Sequence, residues 1–229
     1  MDSNGSFKTL TIGDIHGKNV WFEVKNKINE YDKVIFIGDY TDAFDIKDYE
    51  MLSNLNNIIN FKKEYPDKIV LLLGNHDLQY YFADYNEHMC SGFRFNMFFT
   101  LHSLFKDNKE LFTPVAYQYK NYLWSHAGIA SGATGLINLL PADKMLWADE
   151  LNRLFYANNK ELFEPGEIRG SYGVGSIFWA DKSETRKNQF DDLYQIIGHS
   201  FVLDIIQYKN NTYVDCLDTI VKFYELEIE

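Results

Sequence analysis

Five short polar motifs, each directly after a run of apolar residues, are the feature that most constrains how this chain can fold. The motifs are Gly13-Asp14-Ile15-His16-Gly17, Gly38-Asp39-Tyr40-Thr41-Asp42, Gly74-Asn75-His76-Asp77, Ser125-His126-Ala127-Gly128 and Gly198-His199-Ser200. The runs before them are short and rich in Val, Ile and Leu, which is typical of buried strands. Polar side chains therefore stand where strands end, the edge at which α/β sheets bind ligands.

The motifs together supply carboxylate, imidazole and amide groups, which are the donors of a metal site. The candidate ligands are Asp14, His16, Asp39, Asn75, His126 and His199. His76 and Asp42 stand beside them in the chain. Nitrogen and oxygen donors without a thiolate suit Mn, Fe, Zn, Ni or Co, and their number is enough for two ions.

The order and composition of the motifs resemble those of the calcineurin-like metallophosphoesterases, in particular the phosphoprotein-phosphatase type. That type carries GDxHG, GDxxDRG, GNHE, a His among small residues and a late GH[ST]. All of these patterns occur here in the same order. Ala43 and Phe44 replace the Arg-Gly of the second motif, and Asp77 replaces the Glu of the third. The Ser-His-Ala-Gly around His126 is similar to the bacterial and diadenosine-tetraphosphatase-like branches.

The resemblance implies an α/β fold, a metallophosphoesterase-type αββα sandwich with two mixed β-sheets and a helical cap. Without a linker or repeat in the sequence, we expect one domain over residues 1–229. Helical and loop elaborations around the site are expected at about 78–115 and 129–190.

The predicted order of secondary structure agrees with this fold at its start. Strands at 7–12, 33–37 and 68–73 alternate with helical patterns at 18–30 and 46–65. A β-α-β order of this kind predicts parallel strands joined by right-handed crossovers.

Later segments predict a mixed topology. The segments 116–119 and 122–124 flank Lys120-Asn121 and predict a hairpin. Strand-like segments close the chain after His199, and consecutive strands of this kind predict an antiparallel sheet.

The resemblance also implies a role for each motif residue. Two groups of ligands share Asp39: Asp14, His16 and Asp39 for one ion, and Asp39, Asn75, His126 and His199 for the other. The implied cofactors are two divalent metal ions, manganese first, with Fe, Zn, Ni or Co as alternatives. Such ions hold a hydroxide nucleophile and neutralise the phosphoryl oxygens. The resemblance makes His76 the general acid or a phosphate donor, oriented by Asp42.

Arg94 and Arg169 are the candidates for substrate binding, because Ala43 cannot supply the guanidinium of the second motif. A guanidinium binds a phosphoryl group through paired hydrogen bonds. Arg94 follows the third motif, and a surface ion pair is its alternative role. Arg169 lies in the Gly-rich segment 164–176, which is otherwise expected to be a flexible loop.

Several residues outside the motifs are expected to be structural. Cys90 and Cys216 lack a metal-binding spacing, so we expect free, buried thiols. His88 and His102 are expected to be structural histidines. The segment around Trp179 resembles a part of the family pattern between the fourth and fifth motifs, and we assign it no chemistry.

The formal charge of −11 and the absence of a basic run argue against long duplex nucleic acid as a partner. Bound divalent cations would reverse the sign locally, so a phosphorylated substrate stays compatible. No apolar run approaches the roughly 18 residues that span a bilayer, and Met1 to Ser6 is polar. We therefore expect no membrane partner and a cytoplasmic location. The oligomeric state is left open.

Three functions fit these features. The first is a dimetal-dependent phosphoesterase in which metal-bound hydroxide attacks phosphate esters, as in a phosphomonoesterase or a Ser/Thr protein phosphatase-like enzyme. The second is a hydrolase of diadenosine polyphosphates or of another phosphodiester or anhydride. The third is a metal-binding scaffold that has lost catalysis, favoured by Ala43 and opposed by the intact His76 and Asp42. The substrate would be a phosphorylated small molecule, a nucleotide or a phosphoprotein.

Overall fold

Two mixed β-sheets form the centre of the computed structural model, which describes residues 5–229. The first four residues of the polar N-terminal stretch lie outside the described residues. The strands are β1 Phe7–Ile12, β2 Lys33–Phe36, β3 Ile69–Leu71, β4 Ala116–Tyr119, β5 Tyr122–Ser125, β6 Tyr194–Ile197, β7 Ile206–Tyr208, β8 Asn211–Tyr213 and β9 Tyr224–Ile228. The first sheet has the order β3-β2-β1-β9 and the second the order β4-β5-β6-β8-β7.

Strand pairing follows the prediction at the start of the chain and departs from it at the end. β1, β2 and β3 are parallel, and β4 and β5 form the predicted hairpin. The prediction of an antiparallel sheet after His199 holds for β7 and β8, which pair antiparallel, but not for the region as a whole. β8 lies parallel to β6, and β9 crosses to the first sheet, where Tyr224 pairs antiparallel with Thr11. Local patterning specifies that a segment is a strand, whereas its partner is chosen by packing between distant segments.

The helices surround the sheets. They are α1 Asp48–Glu64, α2 Asn75–Tyr81, α3 Phe98–Asp107, α4 Thr134–Ile137, α5 Trp147–Tyr156 and α6 Lys182–Lys187. α1 ends just before Pro66, as predicted, because proline cannot continue a helix. The segment predicted as a helix at 18–30 forms a 3₁₀ helix, Val20–Glu30, which buries Trp21, Val24 and Ile28.

Alternation along the strands divides the core into two layers. In and just beyond β2, Val34 and Phe36 pack in the larger cluster with α1, while Ile35 and Ile37 face the other sheet. Successive side chains of a strand point to opposite faces, so each central strand serves both layers. The layer between the sheets consists of Ile35, Ile37, Val70, Leu72, Trp124, Ile196, Val214 and Ile228. The result is an αββα sandwich with two mixed sheets and a helical cap.

The elaborations expected around the site are built from short helices. Residues 78–115 contain most of α2, all of α3 and three single-turn 3₁₀ helices. Residues 129–190 contain α4, α5, α6 and three further 3₁₀ turns. No described helix combines the length and the apolar character needed to cross a bilayer.

One hydrogen bond joins the two sheets inside their common layer. The indole Nε1 of Trp124 in β5 donates to Thr11 Oγ1 of β1 over 2.9 Å, and both residues are fully buried. An indole N–H buried without a partner is costly, so this bond fixes how the sheets face each other.

We expect Thr11→Val to lower the free energy of unfolding by about 1–3 kcal/mol, since it leaves the Trp124 N–H without its acceptor. Urea unfolding gives this value. Thr9→Val is the matched control, because the equally buried Thr9 hydroxyl only reaches the Leu226 carbonyl at 3.5 Å. Equal losses in the two variants would show that the bond between the sheets has no special weight.

Candidate metal centre

The predicted metal ligands meet where the carboxyl ends of strands from both sheets come together. β1 leads to Asp14 and His16, β2 to Asp39, β3 to Asn75, β5 to His126 and β6 to His199. Asp14, Asp39, Asn75 and His126 are buried, each with at most 2% of its surface exposed. Burying carboxylates is unfavourable without compensating positive charge, so this concentration of donors calls for a bound cation or charged hydrogen-bond donors.

Asp39 lies at the centre of the group. Its Oδ2 is 3.5 Å from His16 Nε2 and 3.5 Å from His126 Nε2. Its Oδ1 accepts a hydrogen bond from the His76 amide over 3.0 Å. One oxygen is thus held by the backbone while the other stands between two imidazoles, the position that a bridging carboxylate requires.

Two of the histidines are held so that Nε2 is left free for a ligand. His16 Nδ1 donates to the Thr41 carbonyl over 2.9 Å, and His126 Nδ1 donates to the Ile37 carbonyl over 3.2 Å. In metal sites the second nitrogen of a ligating histidine is typically fixed in this way. In both residues Nε2 then presents its lone pair to the Asp39 carboxylate.

Asn75 completes the second group of donors. Its Oδ1 lies 2.8 Å from His126 Nε2 and 2.9 Å from His199 Nδ1. Because His126 already donates through Nδ1, two lone pairs face each other across the 2.8 Å contact. A bound cation satisfies such a pair, so the donor set fits a metal ion.

Electrostatics in the site favour the same conclusion. Burial lowers the pKa of His16, His126 and His199, which favours the neutral imidazole, the form that binds metal. Burial also raises the pKa of Asp14, and the neighbouring Asp215 and Asp39 carboxylates add to this rise. Burial acts to raise the pKa of Asp39 as well, but the surrounding histidines, His126 first, bring that pKa below its usual range.

Strained backbone is concentrated in the site. His16, Asp39, Asp42 and His199 have φ values of 38°, 51°, 58° and 61°. The other described non-glycine residues with positive φ are Lys120, Asn158 and Lys209. A non-glycine residue held in this region costs on the order of 1–3 kcal/mol, and such residues cluster at functional sites. The packed sheets therefore hold these motif residues in conformations they would not adopt alone.

Two motif glycines allow the carboxylates to approach. A Cβ added at Gly74 would lie 2.1 Å from Asp39 Oδ1, and one at Gly198 would lie 2.2 Å from Asp14 Oδ1. The Asp14 carboxylate also accepts from the His199 amide over 2.9 Å. The glycine that opens a motif thus makes room for the carboxylate of another motif.

His76 and Asp42 form a pair beside the ligands. His76 Nδ1 lies 2.9 Å from Asp42 Oδ2. Tyr80 Oη donates to Asp42 Oδ1 over 2.6 Å, and the Gln79 side-chain amide donates to Oδ2. Burial lowers the pKa of His76, but Asp39 and the hydrogen bond to Asp42 outweigh it and raise that pKa well above its usual value.

Tyr80 and Gln79 were missed by the sequence analysis. They follow His76 by four and three residues on α2 and lie on the side of the helix that faces Asp42. The helical spacing from His76 is the signal that could have found them.

Asp77, which replaces the Glu of the third motif, accepts hydrogen bonds from the backbone. It is fully buried, and its carboxylate accepts from the Tyr40 amide and the Gly74 amide, each over 2.9 Å. Asp77 therefore ties the second motif to the third and holds Asp39 and Asn75 side by side.

Asp215 is another buried carboxylate that the sequence analysis did not single out. It lies two residues after the end of β8, and burial raises its pKa to about 7. Its signal in the sequence is weaker than that of Asp14 and Asp39, because β8 is the polar segment Asn-Thr-Tyr and no glycine precedes the acid.

The two arginine candidates lie in different places. The Arg94 guanidinium pairs with Asp48 at the start of α1, and its amide donates to Tyr80 Oη over 2.8 Å. Arg169 Nη2 lies 3.6 Å from Asp181 Oδ2, and the guanidinium is close enough to contribute to the lowered pKa of His199.

The prediction for the cysteines is wrong in one respect. Both thiols are free, and Cys216 is buried, but Cys90 is half-buried. Its Sγ lies 3.5 Å from His76 Nδ1 and 3.7 Å from Asn75 Nδ2. Cys90 thus borders the candidate site. It lies in the elaboration after α2, whose course the motifs do not specify.

The chain resembles a known family in sequence and a solved phosphatase in fold. The family described as calcineurin-like phosphoesterase matches residues 7–222. No curated protein sequence matches the chain. A protein serine/threonine phosphatase from Saccharomyces cerevisiae with similarity to human phosphatase PP5 aligns over 100% of this chain and 81% of its own, with a TM-score of 0.52 and 14% identity. The phosphatase domain of the Legionella effector WipB aligns over 63% of this chain and 59% of its own, with a TM-score of 0.29 and 18% identity.

We expect protein dialysed with excess Mn²⁺ to hold close to two ions per chain, because the two donor groups share only Asp39. Asp39→Asn should lose both ions, since it weakens the ligand common to both groups. Elemental analysis measures the metal content. Asp149→Asn, an exposed acid on α5, is the control and should keep both ions. A single tightly held ion at saturation, with no weaker second site, would contradict the expectation.

Proposed function

The chain belongs to the calcineurin-like phosphoesterase family, and on that premise we propose that it hydrolyses phosphate monoesters with the help of two divalent metal ions. The membership makes it a metal-dependent phosphoric ester hydrolase. The proposal of two metal ions and monoester hydrolysis rests on the Asp39 carboxylate, whose Oδ2 lies 3.5 Å from Nε2 of both His16 and His126. The His76–Asp42 pair lies beside it.

The proposed ligands form two groups around Asp39. We assign Asp14, His16 and Asp39 to the first ion, and Asp39, Asn75, His126 and His199 to the second. When bound, such ions activate water and neutralise charge on the phosphoryl oxygens. Manganese is the first choice, with iron, zinc, nickel or cobalt as alternatives, because neutral imidazoles and carboxylates suit all of these ions.

His76 is proposed as the general acid. Its Nδ1 faces Asp42, so Nε2 is the nitrogen that can deliver a proton to the substrate. In the reaction a water oxygen bonds to phosphorus and releases a proton to solvent, and the bond from phosphorus to the leaving oxygen breaks. The leaving oxygen keeps the electron pair and takes the proton from His76 Nε2.

Asp42 serves this step by holding the ring. Its carboxylate is buried and receives hydrogen bonds from Tyr80 and Gln79 besides that of His76. A carboxylate fixed on both oxygens holds the imidazole in one orientation. A scaffold that only binds metal has no need of this arrangement, so the network supports an enzyme.

The proposal leaves a choice of substrate among phosphorylated small molecules, nucleotides and phosphoproteins. The likeness to the yeast phosphatase is one of fold, so the choice depends on the surface beside His76. Arg94 and Arg169 stay the proposed phosphate contacts, and Arg94 would have to leave Asp48 to make one. A cytoplasmic location also stays a prediction.

We expect His76→Asn to lower turnover about 10²–10⁴-fold, the usual contribution of a positioned acid or base. The loss should be largest for alkyl phosphates, whose leaving group needs a proton, and smaller for p-nitrophenyl phosphate. Asp42→Asn should give a weaker loss with the same dependence on the leaving group. Steady-state kinetics with both substrates measures this.

Metal content is the control for these variants, and it should stay unchanged in His76→Asn. Loss of metal would make His76 a ligand. Equal losses for good and poor leaving groups would show that His76 binds charge without donating a proton.

A further inference from the structure

An open cleft of about 360 Å³ lies beside the candidate metal centre and is not explained by it. One wall is the segment 87–91 after α2, and the other is formed by residues between Phe163 and Trp179. Cys90 and Trp179 both line the cleft and border the centre. Cys90 Sγ is 3.5 Å from His76 Nδ1, and the Trp179 ring meets the His199 ring edge-on at 6.0 Å. The cleft therefore begins on the side of the centre where His76 stands.

The walls of the cleft carry aromatic rings, and other rings that lie deeper in the protein pack against them. Phe163 stacks on the buried Phe178, with ring centroids 5.7 Å apart and planes 10° from parallel. His88 packs edge-on against Phe163 at 4.8 Å and stacks on Phe82 at 4.4 Å. Burial lowers the pKa of His88 to about 4, so its ring is neutral at physiological pH. These rings and that of Trp179 offer a rigid, uncharged surface for a planar group.

Arg169 adds positive charge to this surface. Its Nη2 is 3.6 Å from Asp181 Oδ2, too long for a strong hydrogen bond. Asp181 also accepts from the Ser183 amide at the start of α6 over 2.8 Å. The Arg169 guanidinium thus keeps donors for an anion at this end of the cleft. Glu87, exposed on the opposite wall, opposes a negative charge there, so an anion belongs at the Arg169 end.

The size of the cleft separates two classes of substrate. A volume of about 360 Å³ is near the lower end of the roughly 300–1,000 Å³ of small-molecule pockets. A phosphorylated polypeptide needs an extended groove for the residues on both sides of its phosphate. A nucleoside phosphate brings one planar base and one anion, which match the aromatic walls and Arg169.

We propose that this cleft is the leaving-group subsite and that it takes a nucleoside phosphate, with the base on Trp179 and Phe163 and the phosphate on Arg169. The inference rests on the proposed function, because it places the leaving group next to His76. The substrate is then a nucleoside polyphosphate, and the bond cleaved is its terminal phosphoanhydride, so the inference extends the proposed monoester hydrolysis to a second kind of phosphate bond. Water adds to the terminal phosphorus and releases a proton to solvent, the bond to the bridging oxygen breaks, and the nucleoside phosphate leaves with the electron pair and takes a proton from His76.

Binding of AMP to protein freed of metal with EDTA, measured by isothermal titration calorimetry, tests the subsite without turnover. Arg169→Ala and Trp179→Ala should each weaken AMP binding about 10–100-fold, since base stacking and charged hydrogen bonds to phosphate have that scale. Trp179→Phe should keep most of the affinity, because it retains an aromatic face. Arg153→Ala is the matched control, since the exposed Arg153 pairs with Glu150 on α5.

Turnover provides the second arm. For ADP, kcat/KM of Arg169→Ala and of Trp179→Ala should fall by about the same factor as the AMP affinity of each variant. For p-nitrophenyl phosphate, whose leaving group is small, kcat/KM of Trp179→Ala should stay within about twofold of the wild-type value. Unchanged AMP affinity in Arg169→Ala and Trp179→Ala would overturn the proposal, as would wild-type protein that hydrolyses a phosphopeptide and neither binds AMP nor hydrolyses ADP.

The two proposals fail separately. One outcome is that the metal-loaded protein hydrolyses neither p-nitrophenyl phosphate, nor ADP, nor a phosphopeptide, while AMP binding still depends on Arg169 and Trp179. In that case the proposed function fails and the nucleotide subsite stands. If p-nitrophenyl phosphate is hydrolysed and AMP does not bind, the subsite fails and the phosphoesterase stands.

Discussion

The contact between the Asp39 carboxylate and two imidazoles is the constraint on which the rest of the structure depends. One of its oxygens accepts from the His76 amide, and the other stands 3.5 Å from both His16 and His126. A buried carboxylate among further acids is tolerated only if cations or directed donors compensate its charge. The positions of Asp14 and Asn75 follow from this requirement, because both must approach the same point.

The two-sheet sandwich brings the groups that surround Asp39 together at one place. Strands of the first sheet contribute Asp39 and strands of the second contribute His126 and His199, so neither sheet contains a complete site. The layer between the sheets, closed by the bond from Trp124 to Thr11, keeps the two edges together. A rigid core is also what allows motif residues to remain at positive φ, since the surrounding packing over-determines their conformation.

The sequence determined the features that depend on local pattern. Short apolar runs ending in polar motifs identified β1, β2 and β3 and the α/β class. Because polar residues at strand ends share one edge, the same pattern pointed to a single group of ligands. Alternating strands and helices specified parallel pairing at the start of the chain, since a crossover returns each strand in the same direction.

Only the tertiary structure decided what depends on contacts between distant segments. β9 pairs with β1 although almost the whole chain lies between them, and no local periodicity encodes that choice. The same holds for Arg94 against Asp48, for Cys90 against His76 and for Trp179 against His199. Helical and loop elaborations bring these residues together, and their course is set by packing over the sheet edge. Sequence pattern therefore determined which candidate ligands reach the shared sheet edge, and tertiary packing determined the surface around them.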